Sequence, residues 1–213
     1  MNQPVQQKKS PDKWIVLGVV VVVAIVALIA GIWGFYNSVV EKQEVVDNAW
    51  AKIQVQYQRR LDLIPNLVET VKGYAAHESE TLESVTRARA GLSDAYNAAD
   101  SLMKTTPDNA AAFERYNTSQ AQLGRAFNVY VNAVREAYPD LKANTQFENL
   151  QKQIEGTENR ISMARTDYTN TVKDYNLKIK RFPGNLFASF FGFEAKPQFE
   201  ADSEAQSAPK VQF

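Results

Sequence analysis

The sequence predicts an all-α protein: an N-terminal transmembrane helix, then an antiparallel bundle of three long helices, then a disordered C-terminal tail. Three observations carry that expectation. Residues 14–36 hold no charge, apolar residues recur at three- and four-residue steps through three later segments, and breaks bearing proline or glycine separate those segments.

The first element is "WIVLGVVVVVAIVALIAGIWGFY", Trp14 to Tyr36. As a helix rising about 1.5 Å per residue it reaches roughly 34 Å, enough to cross a hydrocarbon layer of about 30 Å. Trp14 at one end, and Trp33, Phe35 and Tyr36 at the other, supply aromatic belts for both interfaces. A cleaved signal peptide has a shorter apolar region followed by a small-residue cleavage site; this run is longer and no such site follows it. Lys8, Lys9 and Lys13 precede the span, whereas Glu41, Lys42, Glu44 and Asp47 follow it. Positive charge favours the cytosolic side, so residues 1–13 are expected to be a short basic cytosolic tail, with everything after the span outside the plasma membrane.

The bundle is expected over residues 37–183. Its first helix, from about residue 39 to residue 90, carries Val46, Trp50, Ile53, Tyr57, Leu61, Ile64, Val71, Leu82 and Val85 on one side. Pro65 breaks its hydrogen-bond ladder, yet Leu61, Ile64 and Val68 continue the stripe across it, which predicts a kink and not an end. The pattern fades at "GLSDAYNAADSLMKTTPDN", read as a loop. The second helix starts with Thr106 as cap, Pro107 at the first helical position and Asp108 in the first turn. Its seam is Phe113, Tyr116, Gln120, Leu123, Phe127, Tyr130, Val134 and Ala137, and Pro139 stops it. The third helix opens on "TQFE", a capping box from Thr145 to Glu148, and carries Phe147, Leu150, Ile154, Thr157, Ile161, Tyr168, Tyr175 and Ile179 up to Pro183. A short connection makes these two helices antiparallel. One register then sets Val134 against Leu150, Tyr130 against Ile154, Phe127 against Thr157 and Leu123 against Ile161. Residues 184–193 form an uncharged aromatic segment expected to cap the bundle end, the alternative being a second membrane or partner contact. Residues 194–213 are polar with two prolines, the composition of a disordered tail.

Composition narrows the chemistry. The 24 basic and 24 acidic residues cancel, so no global charge drives the chain onto nucleic acid. There is no cysteine, which removes disulfides and thiolate chemistry, and one histidine, which removes a histidine-rich metal site. His77–Glu78 begins like a zinc-protease helix, but the second histidine that a zinc site needs four residues on is Thr81. Arg59, Arg60 and Asp62 suit a phosphate, or else exposed ion pairs within the helix; the second is the expectation. Tyr116, Tyr130, Tyr168 and Tyr175 share the seams with phenylalanines and read as core. No catalytic residue, cofactor or metal site is expected.

The stretches "VDNAWAKIQVQYQRRLDLIPNLVETVKGYAAHE", "YPDLKAN" and "FENLQKQIEGTENRISMARTDYTNTVKDYNLKIKRFPGNLFASFFGF", in that order behind an N-terminal span, strongly resemble the LemA family of bacterial membrane proteins. The resemblance runs from about Val39 to Phe193. It implies a single-pass membrane protein with an all-α bundle and no catalytic residues to carry over; some relatives are described with the bundle facing the cytosol. The expected role is a scaffold or adaptor of the bacterial envelope, held in the bilayer through residues 14–36 and binding other membrane or envelope proteins through helix faces. The alternative is an accessory subunit of a membrane enzyme such as a protease. Helix lengths add one expectation. The first helix, roughly 78 Å long, exceeds the second at roughly 48 Å, so folding back near Asp100 leaves Val46, Trp50, Ile53, Tyr57 and Leu61 without a partner in the chain. That stripe is expected to pair with copies of the protein or with a partner helix.

Overall fold

The computed structural model describes residues 13–76, 83–103, 107 and 109–199, all of them helix, turn or extended connection with no strand among them. Helix α1 runs from Lys13 to Ala75, α2 from Glu83 to Met103, α3 from Ala110 to Ala137, α4 from Thr145 to Lys180 and α5 from Gly184 to Phe191; a 3-10 turn, Pro139–Ala143, joins α3 to α4.

The apolar run and the first bundle helix are one helix. Nothing between Trp14 and Tyr36 breaks it, and helix continues on both sides of Pro65. None of its most apolar stretch is buried against the rest of the chain, and by length and composition it can cross a membrane. The expected helix from 39 to 90 is corrected at its far end: α1 stops at Ala75, and a separate α2 begins at Glu83. Residues 77–82, with His77, lie outside the described residues. The stretch read as a loop is mostly α2, because Leu92 and Ala99 are buried, Ala95, Tyr96 and Met103 pack beside them, and Gly91 sits on the exposed side. One helical glycine costs about 1 kcal/mol, less than that packing returns. Among the described residues the bundle is therefore built from four helices, α1 to α4, and not three.

Their course alternates. Val71 and Val85 share one core with Leu92, so α2 returns along the outer part of α1. Tyr116 Oη donates to Met103 Sδ at 2.6 Å, which sets α3 beside α2. Helix α4 then runs along the bundle part of α1 in the opposite direction: Glu158 meets Arg60, Arg165 meets Tyr57, Tyr168 meets Trp50 and Lys178 lies over Phe35. This corrects the expectation of a stripe without a partner in the chain. Val46, Trp50, Ile53, Tyr57 and Leu61 are all buried inside the chain, because α4, with 36 residues, is long enough to cover them.

The helix starts are polar, as backbone N–H groups there need acceptors. Asn109, and not Thr106, caps α3, its side chain accepting from Ala112 N at 2.9 Å; Thr106 and Asp108 lie outside the described residues. Asn144 caps α4, its Oδ1 accepting from Gln146 N at 3.0 Å and Phe147 N at 3.1 Å, so the cap stands one residue before the expected threonine. Helix α5 closes on Gly192, whose φ of 73° is left-handed and suits glycine.

Residues 194–199 depart from the expectation of disorder for 194–213 as far as the described residues go. They lie extended along the base of the bundle: Tyr175 Oη donates to Glu194 O at 3.1 Å, Tyr168 Oη to Pro197 O at 3.2 Å, and Asn176 exchanges two 2.9 Å hydrogen bonds with the main chain of Lys196. Phe199 then packs 5.0 Å from Phe113 and 5.5 Å from Tyr168. Polar composition concealed this because the holding groups belong to α4.

Pro65 is exposed and withholds an N–H from the ladder inside α1. Pro65→Ala is expected to stabilise the protein by about 1–3 kcal/mol, read as a higher denaturation midpoint of the full chain in detergent. An unchanged or lower midpoint would count against this account.

Candidate functional site: a buried arginine and the base of the bundle

Two apolar cores fill the bundle. The outer one contains Leu67, Leu92, Val134 and Phe147; the inner one, nearer the span, contains Ile53, Trp50, Phe113 and Tyr175. Between them lies a polar layer built on Arg60. Its register explains its place: three residues after Tyr57 and next to Leu61, Arg60 falls on the stripe that α1 turns inward and is only 3% exposed. Nη1 donates to Glu158 Oε1 on α4 at 2.8 Å. Nη2 donates to the main-chain oxygen of Gln120 on α3 at 3.1 Å, and also to Gln120 Oε1. The guanidinium carbon stands 5.4 Å from the centre of the Tyr57 ring. One side chain thus ties α1 to both α3 and α4. Of the expected exposed ion pairs the neighbours keep the exposure alone: Arg59 is exposed, and the exposed Asp62 accepts from the neutral amide of Gln58 at 2.8 Å.

The layer continues below. Arg165 Nε donates to Tyr57 Oη at 2.8 Å, and its guanidinium covers Phe199 at 4.8 Å. Thr157 is fully buried but satisfies itself, its hydroxyl donating to Gln153 O at 2.8 Å. Gln120 and Thr157 both stand in the apolar seams, so polar residues at seam positions were the readable signal for this layer. Arg60 lacked one, since an arginine next to another arginine looks like surface.

The buried phenols hold their protons. Burial pushes Tyr57 up despite the Arg165 guanidinium beside it, and burial raises Tyr116 and Tyr175 as well. Burial takes Tyr130 and Tyr168 up to about 12, with Asp47 adding to the effect at Tyr168. All are neutral near pH 7, and Tyr116, Tyr168 and Tyr175 donate structural hydrogen bonds while Tyr57 accepts one. Among the described residues no group of three or more His, Asp or Glu side chains could hold a metal ion. A cavity of about 580 Å³ opens at the base between α1, α3, α4 and the 193–197 segment; Asp47, Trp50, Tyr168 and Lys196 are among its walls, and Lys196 Nζ bridges to Asp47 at 2.6 Å. It presents an ion pair and aromatic faces, with no pairing of nucleophile and base.

The LemA family profile matches residues 49–213. Protein LemA of Metamycoplasma hominis is 27% identical over 155 residues, covering 73% of this chain and 64% of that protein, so the chain spans less than two thirds of its length. Magnetosome protein MamQ 2 of Paramagnetospirillum magneticum is 26% identical over 195 residues, covering 86% of this chain and 71% of that protein.

Two outcomes follow from this geometry. Gln120→Leu leaves the Arg60 guanidinium buried and short of an acceptor, and is expected to cost about 1.5–3 kcal/mol in urea denaturation with the slope unchanged. Tyr130 and Tyr168 bind their protons more tightly folded than unfolded. Their stability contribution is therefore full below pH 10 and is lost as pH rises from about 10 to about 12. Tyrosinate absorbance near 295 nm should rise for these two only as the helical circular dichroism falls.

Proposed function

The chain belongs to the LemA family, and from that premise we propose that it is a membrane-anchored helical scaffold of the bacterial envelope, without catalysis of its own, that binds other proteins through its helix faces. The observation that best supports the reading is the continuity of α1. A single helix of 63 residues passes from the apolar run into the bundle with no linker. A tethered enzyme domain is commonly free of its anchor, whereas here the bundle extends the anchor itself. Packing also speaks for retention of the span: Phe35 and Tyr36, its last residues, hold α5 at ring distances of 5.7 Å to Phe187 and 5.1 Å to Phe191. A cleaved leader would take those contacts away.

The partner surface in this reading is the outside of the bundle, with α1 bent at Pro65. Val55 on α1, Val129 on α3 and Met163 on α4 are each at least 60% exposed. They are apolar points on otherwise charged faces, suited to modest contacts with several partners. Inside, Arg60, Gln120, Glu158, Tyr57 and Arg165 are engaged in holding helices together. The N-terminus lies in the cytosol and the bundle outside, as the lysines before the span favour.

Photo-crosslinkers placed at Val55, Val129 and Met163 in native membranes should capture partner proteins, while those at Trp50 and Ile53 should give only products within the chain. Adducts from the buried pair and none from the exposed three would overturn the reading. Recovery of a membrane enzyme whose rate depends on this chain would make it an accessory subunit instead. Protease added to intact spheroplasts should remove a C-terminal tag; a protected tag reverses the orientation.

A further inference from the structure

The segment Phe182–Phe193 holds no charged residue, and its helix stands where the apolar part of α1 ends. Gly184 is pressed so close that a Cβ there would lie 2.7 Å from both the Phe35 ring and Lys178 O, which fixes the depth of α5 against the span. A cleft of about 660 Å³ beside this contact is walled by Leu28, Gly31 and Ile32 of the span and by Phe182 and Phe187. The aromatic segment therefore reaches more than a turn back along the span. One face of α5 packs inward through Gly184 and Ala188. Its other side is bare: Leu186 is 60% exposed and Phe190 82% exposed, and these two, four residues apart in the helix, share a side. Phe182, in the turn just ahead of the helix, is also 82% exposed.

Charge surrounds the same cleft. Lys42, Lys178 and Arg181 line it against one carboxylate, Asp174, and Lys180 lies between the last two cations in sequence. Apolar rings below a rim of lysine and arginine match the boundary between acyl chains and anionic headgroups. A soluble partner would have to reach these rings at the depth where the span enters lipid.

We propose that α5 is a second membrane contact: Phe182, Leu186 and Phe190 enter the leaflet that the span leaves, and the cleft with Lys42, Lys178 and Arg181 takes the phosphate of an anionic phospholipid. This rests on the span being embedded, and the test separates the two. Because the chain has no cysteine, Val22→Cys, Met163→Cys and Phe190→Cys each give a single site for a fluorophore. The full chain is reconstituted in vesicles of phosphatidylcholine and phosphatidylglycerol containing nitroxide-bearing lipids. Deep nitroxides should quench the label at 22, reporting the span. Shallow nitroxides should quench the label at 190 several-fold more than the label at 163, and replacing phosphatidylglycerol by phosphatidylcholine, or introducing Lys178→Gln with Arg181→Gln, should cut the quenching at 190 by about half. Quenching at 22 with a water-exposed label at 190 would overturn the proposal while leaving the anchor intact. Quenching at 190 indifferent to lipid charge would overturn the anionic site. An unquenched label at 22 would overturn the anchored reading itself.

Discussion

A guanidinium withdrawn from water has to be met by acceptors held in place, and in this molecule those acceptors come from two other helices. Glu158 reaches Arg60 from α4 and Gln120 from α3, one of the Gln120 acceptors being its main-chain oxygen. A main-chain acceptor leaves no freedom to slide: moving α3 by one residue along α1 removes it. The apolar seams alone are less demanding, since leucine, valine and phenylalanine pack acceptably in neighbouring registers. Arg60 thus selects one alignment of α1, α3 and α4, at the energetic cost that any buried charge carries. The Glu158 side chain is 43% exposed, so this ion pair adds little stability by itself. Its contribution is to the choice of alignment.

Below that layer the inner core is tightened by a different device. Tyr168 and Tyr175 keep their rings in the core and send their hydroxyls to the main chain of the segment after α5. Phe199 completes the aromatic cluster around Trp50 and Phe113. The end of the described chain is thereby stitched to the start of the bundle, with the Lys196–Asp47 pair as a further tie. Closure of this kind holds α4 along α1 beyond what a seam of side chains achieves.

Much of the fold was readable because helical spacing is a strong local signal. The seams of α3 and α4 agree with the burial of Phe113, Tyr116, Leu123, Val134, Phe147, Ile154 and Ile161. The stripe of α1 was identified residue by residue, but its partner was not. Periodicity reports that a face is buried and is silent about what buries it, so helix lengths alone give Trp50 and Ile53 no partner, whereas α4 covers both. Alpha-2 was missed because alanine, asparagine and one glycine weaken a helical pattern that tertiary packing then enforces. Arg60 was taken for surface because charge outweighs position in a sequence reading, and the order in residues 194–199 was hidden because it depends on hydrogen bonds donated from α4.

The absence of any joint between the apolar run and the bundle has a mechanical side. Residues 37–75 of α1 extend roughly 58 Å beyond the span, so in a bilayer a change of about 10° in the tilt of the span carries the far end of the bundle through roughly 10 Å. Bilayer thickness sets such tilts. With the span embedded, the helix would act as a lever whose short arm lies in lipid and whose long arm carries the bundle.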